Sequence, residues 1–501
     1  MALPSPQEER LERLERYWTS GLFALAIALR LLLLGDEDLW YDEAVSVDQA
    51  GQPTFGGVLA ATAADNYPPL HNLLMHVWMG LFGASPVSVR LPSVFFSLIA
   101  LWLANRILRR LFGARPALIA TALLAVGPTQ IQYAQEMRMY ALFLFLTLWS
   151  TWCLVRWLEA PTTRRLVGYG VVSAFLCYSH LYAGFFLIGQ NATVLILWWR
   201  ARRQASSGPF AAPSLWRWAQ VQLAVFAAFS AWLPTMLARY GKLDGNFWIP
   251  TPSLYGLYEP LLYTWRLAVP LCVVLLGLAL FPLPRRPRWL AGLFAPTPRG
   301  TLDPLAATLV LFLPLAASLG LAFILSYVME PLFLHRYLFA AMTAATMLVA
   351  VGIARVQRTL FQVGLVVCIV TLCVPASVLY YRDDQKARWS LVAAEVEAHR
   401  TPNDLVVLWP HFHRVCYVHN AHGPLPSFLA QTDDDFKLSA DERDEIAAGA
   451  RSASGLWLVV RDAKEEGGMT LHTMFAATRP LLSESQYTGV TTFHFGPPRK
   501  P

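Results

Sequence analysis

The chain has 501 residues, 55% of them hydrophobic, only 15% charged, and a formal net charge of +7. A mean hydropathy of +0.42 lies outside the range of a soluble domain, and the apolar residues come in runs of about 17 to 25, long enough to cross a bilayer. The basic pI of 9.1 does not point to nucleic acid, because the arginines are spread among short loops instead of forming one stripe.

In chain order the apolar runs predict about eleven spans. They fall near 17–34, 87–105, 116–132, 137–157, 166–182, 183–199, 216–238, 261–281, 305–328, 337–354 and 359–381. No small-residue cleavage site follows the first run, so it reads as a span and not as a signal peptide. Alternate loops are rich in arginine: Arg106, Arg109, Arg110 and Arg115; Arg156, Arg164 and Arg165; Arg200, Arg202, Arg203 and Arg217; Arg285, Arg286, Arg288 and Arg299; Arg355 and Arg358. The opposite loops carry only Arg138, Arg239, Lys242 and Arg336, with Arg90 at a span edge. Loops that keep positive charge stay inside, so the N-terminus is expected in the cytoplasm and the C-terminus outside.

The first outer loop is the most informative stretch. From Leu31 to Val89 it has no lysine or arginine, yet it holds Asp36, Glu37, Asp38, Asp42, Glu43, Asp48 and Asp65. Asp42 and Glu43 are adjacent within Leu39-Trp40-Tyr41-Asp42-Glu43-Ala44. After Pro68-Pro69, the residues Leu70, Leu73, Leu74, Val77, Trp78, Leu81 and Phe82 repeat at helical spacing, with His71, Asn72 and His76 on the other face. About fourteen helical residues cannot span a core of about 30 Å. This segment is expected to lie in the membrane interface, apolar side down, with the two prolines fixing its entry.

Four further features sit at outer ends. Tyr133-Ala134-Gln135-Glu136-Met137-Arg138-Met139-Tyr140 joins the third and fourth spans, and Tyr178-Ser179-His180-Leu181-Tyr182 lies where the fifth and sixth spans meet. An aromatic loop carries Tyr240, Phe247, Trp248, Tyr255 and Tyr258, and His335-Arg336-Tyr337 precedes the tenth span. Ionisable residues at membrane depth are costly and mark function by default. Each also has a plainer explanation: solvated loop acids, a Glu136–Arg138 pair pinning two helices, an interhelical hydrogen bond from His180, an aromatic belt, a snorkelling anchor at Arg336. Together they make half of a group-transfer site, a carboxylate base with outward arginines, that lacks a lipid-borne anionic leaving group.

Beyond residue 381 the composition turns ordinary. Trp389, Val392, Ala393 and Val396 form a helical stripe, while 404–409, 455–460 and 490–495 read as strands. The chain is therefore expected to be a polytopic α-helical membrane protein, with a transmembrane domain over 1–381 and a small extracytoplasmic α/β domain over 382–501. The six cysteines (153, 177, 272, 368, 373, 416) show no paired spacing, so neither a disulfide framework nor a zinc motif follows.

Trp40-Tyr41-Asp42-Glu43, Tyr67-Pro68-Pro69-Leu70, Arg90-Leu91-Pro92-Ser93, the 133–140 stretch and Arg336-Tyr337-Leu338 occur in that order. So arranged, they resemble the bacterial family 39-like, protein O-mannosyltransferase-related branch of the C-type glycosyltransferases, and more distantly the lipid A aminoarabinose transferases. The resemblance covers about residues 20–381. It implies a multi-pass protein of the bacterial inner membrane that takes a sugar from a polyprenyl-phosphate donor to an acceptor glycan, lipid or protein on the outer face. It places Asp42 at the catalytic aspartate and Glu43 beside it, where Glu43 is expected to orient the acceptor, Glu136 at a second-loop acidic position, and Arg138 and Arg336, with Tyr337, near the donor phosphate. Arg90, Tyr140 and His180 are further candidates. Relatives differ in using a divalent metal, and no ligand spacing here calls for one, so no metal site is assigned. The rival expectation is a transporter or flippase for a lipid-linked sugar, which would favour broken spans in two matching halves; no such internal repeat is found.

Overall fold

A computed structural model describes residues 6–65, 67–203, 214–240, 249–281, 295–298, 300–429, 438–461 and 466–499. Phe247, Trp248, Lys242, Arg285, Arg286, Arg288 and Arg299 therefore lie outside the described residues. The chain divides into two compact units. One holds residues 1–32, 52–81 and 90–380; the other holds 33–51, 82–89 and 381–501.

The first unit is helical, and a helix or a pair of helices stands at every predicted span. Among the described residues, five helical segments are by themselves long and apolar enough to cross a membrane: Pro86–Phe112, Tyr140–Glu159, Leu254–Leu280, Pro304–Leu325 and Thr359–Arg382. Ala114–Val126 and Phe339–Ala354 are apolar but shorter. A helix that is apolar all round belongs inside, and every residue of Phe339–Ala354 is buried. Small residues let helices meet closely where apolar side chains gain nothing by leaving lipid. A Cβ on Gly189 would lie 2.3 Å from the Pro314 Cα, and one on Gly352 would lie 2.0 Å from the Leu275 carbonyl oxygen. The opposite case is the helix Thr359–Arg382, where Leu360, Val363, Val367 and Val378 are all exposed.

Arg30 is completely buried, in a role that its place in an apolar run does not signal. Its guanidinium donates to Ala26 O (3.1 Å), Ala125 O (3.0 Å) and Leu124 O (3.2 Å), and its Nε to Ser97 Oγ (2.9 Å). Leu124 and Ala125 end the helix Ala114–Val126, so the cation satisfies orphan carbonyls at the negative end of the helix dipole.

The helix Leu70–Phe82 buries His71 and Asn72, while Leu74, Val77, Leu81 and Phe82 are exposed. This inside-out pattern is the one expected of a helix whose apolar face meets lipid. Asn72 Nδ2 donates to Thr62 Oγ1 at 3.0 Å, which ties the helix to Phe55–Ala63.

The second unit carries a five-stranded sheet: β1 (Leu405–Trp409), β2 (Ser427–Phe428), β3 (Leu456–Arg461), β4 (Leu481–Tyr487) and β5 (Val490–Phe495). The order is β2-β1-β3-β5-β4, with β1 parallel to β2 and β3, and β5 antiparallel to β3 and β4. The fully buried run Leu456–Val460 marks β3 as the centre of the sheet. Gly489 turns β4 into β5 at φ +72, a conformation glycine adopts without cost. Trp389, Val392, Ala393 and Val396 are the buried stripe of the helix Trp389–His399, as their spacing predicts. Strands β2 and β4 were missed; β4 is polar and mostly exposed, so it lacks the alternation that marks a half-buried strand. All six cysteines are free.

Candidate functional site

In the second unit, Trp40 is extended and the helix Tyr41–Ala50 begins after it, with Asp42 and Glu43 in the first turn. Carboxylates there face the positive end of the helix dipole. The two differ sharply in surroundings. Asp42 is half-buried, whereas Glu43 has no exposed surface, and its Oε2 lies 3.0 Å from Lys386 Nζ. Asp42 contributes its carbonyl oxygen to Ser46 Oγ at 2.8 Å. Tyr41 packs on Phe412 and His413, with ring centroids 5.0 and 5.4 Å apart.

The acids just before this helix are held by backbone. Glu37 Oε1 accepts from the amides of Gln385 and of Lys386, the latter at 3.1 Å, and Asp38 Oδ2 accepts from the Ser390 amide at 2.7 Å. Ser390 opens the helix Trp389–His399, so Asp38 supplies the cap its own sequence lacks. Asn420 brackets Leu39, accepting from its N–H (3.1 Å) and donating to its C=O (3.0 Å). None of these partners stood out in the sequence. The one usable signal was rarity: Lys386 is the first lysine after Lys242, and every Lys or Arg position between them is arginine.

In the first unit, five of the sequence candidates come together. The Arg138 guanidinium lies 4.5 Å from the Tyr67 ring centre, and that of Arg336 lies 5.6 Å from the Tyr337 ring centre. His180 is 5.2 Å from Tyr337 and 6.2 Å from Tyr140, and Tyr182 is 5.6 Å from Tyr337, ring to ring. The helices on either side end at Cys177 and resume at Ala183, so His180 belongs to the connection between them. Its Nδ1 accepts from the Tyr182 amide at 3.1 Å, leaving the proton on Nε2. Burial, then the positive charges of Arg138 and Arg336, push the His180 imidazole down to about 3. His180 is thus neutral at physiological pH, and two arginines bear on one small aromatic pocket.

Glu136 is 6% exposed, and its Oε1 accepts from Gln132 Nε2 at 3.3 Å. Tyr133 feels the charges of both Glu136 and Arg336. Next to Arg336, His335 stacks on Tyr263 at 3.6 Å and meets Glu259 Oε1 at 3.0 Å. Arg90 is buried in the helix Pro86–Phe112. Sequence reasoning missed Tyr67 and His71 as neighbours of Arg138, although both flank the Pro68-Pro69 signal. Among the described residues, no group of three or more His, Cys, Asp or Glu is arranged to hold a metal ion.

Residues 66–232, about a third of the chain, match the family model of dolichyl-phosphate-mannose-protein mannosyltransferases. The structure is similar to that of ArnT from Cupriavidus metallidurans in the apo state, with a TM-score of 0.61 at 12% identity, covering 96% of this chain and 98% of that one. ArnT from the same organism bound to undecaprenyl phosphate gives a TM-score of 0.56 at 13% identity, covering 95% and 98% of the two chains. The oligosaccharyltransferase of Archaeoglobus fulgidus gives 0.50 at 12% identity, over 95% of this chain and 73% of that one. Among curated proteins, none matches by sequence. The chain therefore has the fold of a C-type membrane glycosyltransferase, as its motifs predict.

Proposed function

We propose that this protein is an integral-membrane glycosyltransferase that moves a sugar from a polyprenyl-phosphate donor to an acceptor hydroxyl on the outer face of the bacterial inner membrane. The observation that carries this reading is the pairing of Arg138 and Arg336 around His180 and Tyr337, in a fold that one relative uses to bind undecaprenyl phosphate. A sugar phosphodiester has a good leaving group, so one base suffices. Asp42 takes the acceptor proton as the hydroxyl oxygen attacks the anomeric carbon. The bond from that carbon to the phosphate oxygen breaks, and the polyprenyl phosphate departs with its charge on Arg138 and Arg336. A single displacement inverts the anomeric centre. Glu43, buried against Lys386, acts through Asp42 and does not meet the acceptor.

A deletion strain tests the reading. Its lipid extract should accumulate one polyprenyl-phosphate sugar, and the wild-type gene should clear it. Asp42→Asn keeps the shape but cannot take a proton, so transfer should fall about 10²- to 10⁴-fold with membrane insertion intact. Near wild-type clearance by Asp42→Asn removes Asp42 from the mechanism. An unchanged lipid extract in the deletion strain refutes the donor class.

A further inference from the structure

Glu43 is adjacent to the proposed base and wholly buried, which is a poor place for a lone carboxylate. Its neighbour Lys386 is 7% exposed, and the two charged atoms are 3.0 Å apart. Lys386 itself is fixed from behind, because its own amide donates to Glu37 Oε1 at 3.1 Å. Two positions on, Arg388 Nη1 donates to the Asp36 carbonyl at 2.7 Å and also pairs with Asp384. The stretch 384–390 thus grips the acidic segment 36–43 at its start, through Asp36, and at its end, through Glu43.

We infer that Lys386 is a positioning residue: its ammonium is the fixed counter-charge of buried Glu43, and through that pair it sets where Asp42 stands. The inference rests on the transferase reading for its chemical meaning, but the grip itself does not. Asp42 and Glu43 share a peptide unit in the first turn of one helix, and the Asp42 carbonyl is already engaged by Ser46. Anchoring the Glu43 side chain therefore restrains the Asp42 backbone. Removing the ammonium takes the counter-charge, 3.0 Å away, from a carboxylate that has no exposed surface, which favours opening of the turn. Arginine can restore the charge. Removing both charges takes away the reason to open.

The test uses the full-length protein in lipid nanodiscs, as Lys386→Met, Lys386→Arg and the double variant Glu43→Gln/Lys386→Met. Hydrogen exchange over residues 36–50 should rise about tenfold in Lys386→Met, and return toward wild type in Lys386→Arg and in the double variant. With the polyprenyl-phosphate sugar extracted from the deletion strain as donor, Lys386→Met should lower kcat about 10²-fold while donor KM stays within about twofold. Unchanged exchange over 36–50 in Lys386→Met overturns the proposal. So does a rise in exchange with kcat untouched, which would make Lys386 a staple without influence on the chemistry. If exchange behaves as expected but the wild type turns over no donor, the transferase reading falls and Lys386 stands as the counter-charge of Glu43.

Discussion

Protonating His413 should loosen the unit that carries Asp42 and Glu43. The imidazole is 2% exposed, stacked 5.6 Å from Trp389 at 19°, and 5.4 Å from Tyr41, the residue before Asp42. Burial, with the Arg461 charge adding to it, lowers its pKa from 6.5 to about 3. A base whose folded pKa lies below its unfolded pKa binds more protons when unfolded, so its stability contribution is intact above pH 6.5 and shrinks as pH falls toward 3. At pH 5 the deficit spans about 1.5 pH units at 1.36 kcal/mol each, or about 2 kcal/mol. His413→Phe keeps a stacked ring and removes the titration. Hydrogen exchange of the β1 and β3 amides in full-length protein, corrected for intrinsic rates, gives the opening free energy at pH 7 and pH 5. The wild type should lose about 2 kcal/mol more than His413→Phe over that interval. His419 and His494 are also lowered by burial, but they titrate in both proteins and cancel in the difference. Equal pH dependence in the two proteins would refute the assignment.

Arg336→Ala should weaken donor binding severely and Arg336→Lys moderately, because lysine keeps a point charge but loses the planar fork. Titration of undecaprenyl phosphate into the purified protein reads both, and unchanged affinity in Arg336→Ala leaves only a membrane anchor. The alternation of arginine-rich and arginine-poor loops predicts an extracytoplasmic C-terminus. A reporter that works only in the cytoplasm, fused after Pro501, should stay dark, and a bright signal overturns the topology.

The parts of the fold that were legible in the sequence are those with a local signature. Apolar runs place a helix at each predicted span, and the stripe of Trp389, Val392, Ala393 and Val396 places the helix Trp389–His399 of the second unit. The polar face of Leu70–Phe82 was visible too, since His71 and Asn72 repeat out of phase with the leucines. What stayed hidden is bonded across long stretches of chain. Arg30 meets carbonyls 94 and 95 residues away, and in the sequence it looks like one more arginine in an apolar run. Tyr140, His180 and Tyr337 were each noticed as ionisable or aromatic residues at outer ends, but only the fold brings their rings together.

The acidic loop shows the same division most clearly. Composition presents its carboxylates as equivalent, and against an uncharged background each stands out. The structure sorts them by partner. Glu37 and Asp38 accept backbone amides of residues 385, 386 and 390, work that any carboxylate of the right reach could do. Glu43 is committed to Lys386, 343 residues later in the chain. A buried carboxylate engaged with an ammonium is poorly placed to accept a proton from a hydroxyl, because accepting it would leave that ammonium buried without its counter-charge. Asp42, half-buried at the opening of its helix, is the more accessible of the two. The burial difference between two adjacent residues thus supports the proposal of Asp42 as base and Glu43 as its support, a distinction no pattern of residue types contains.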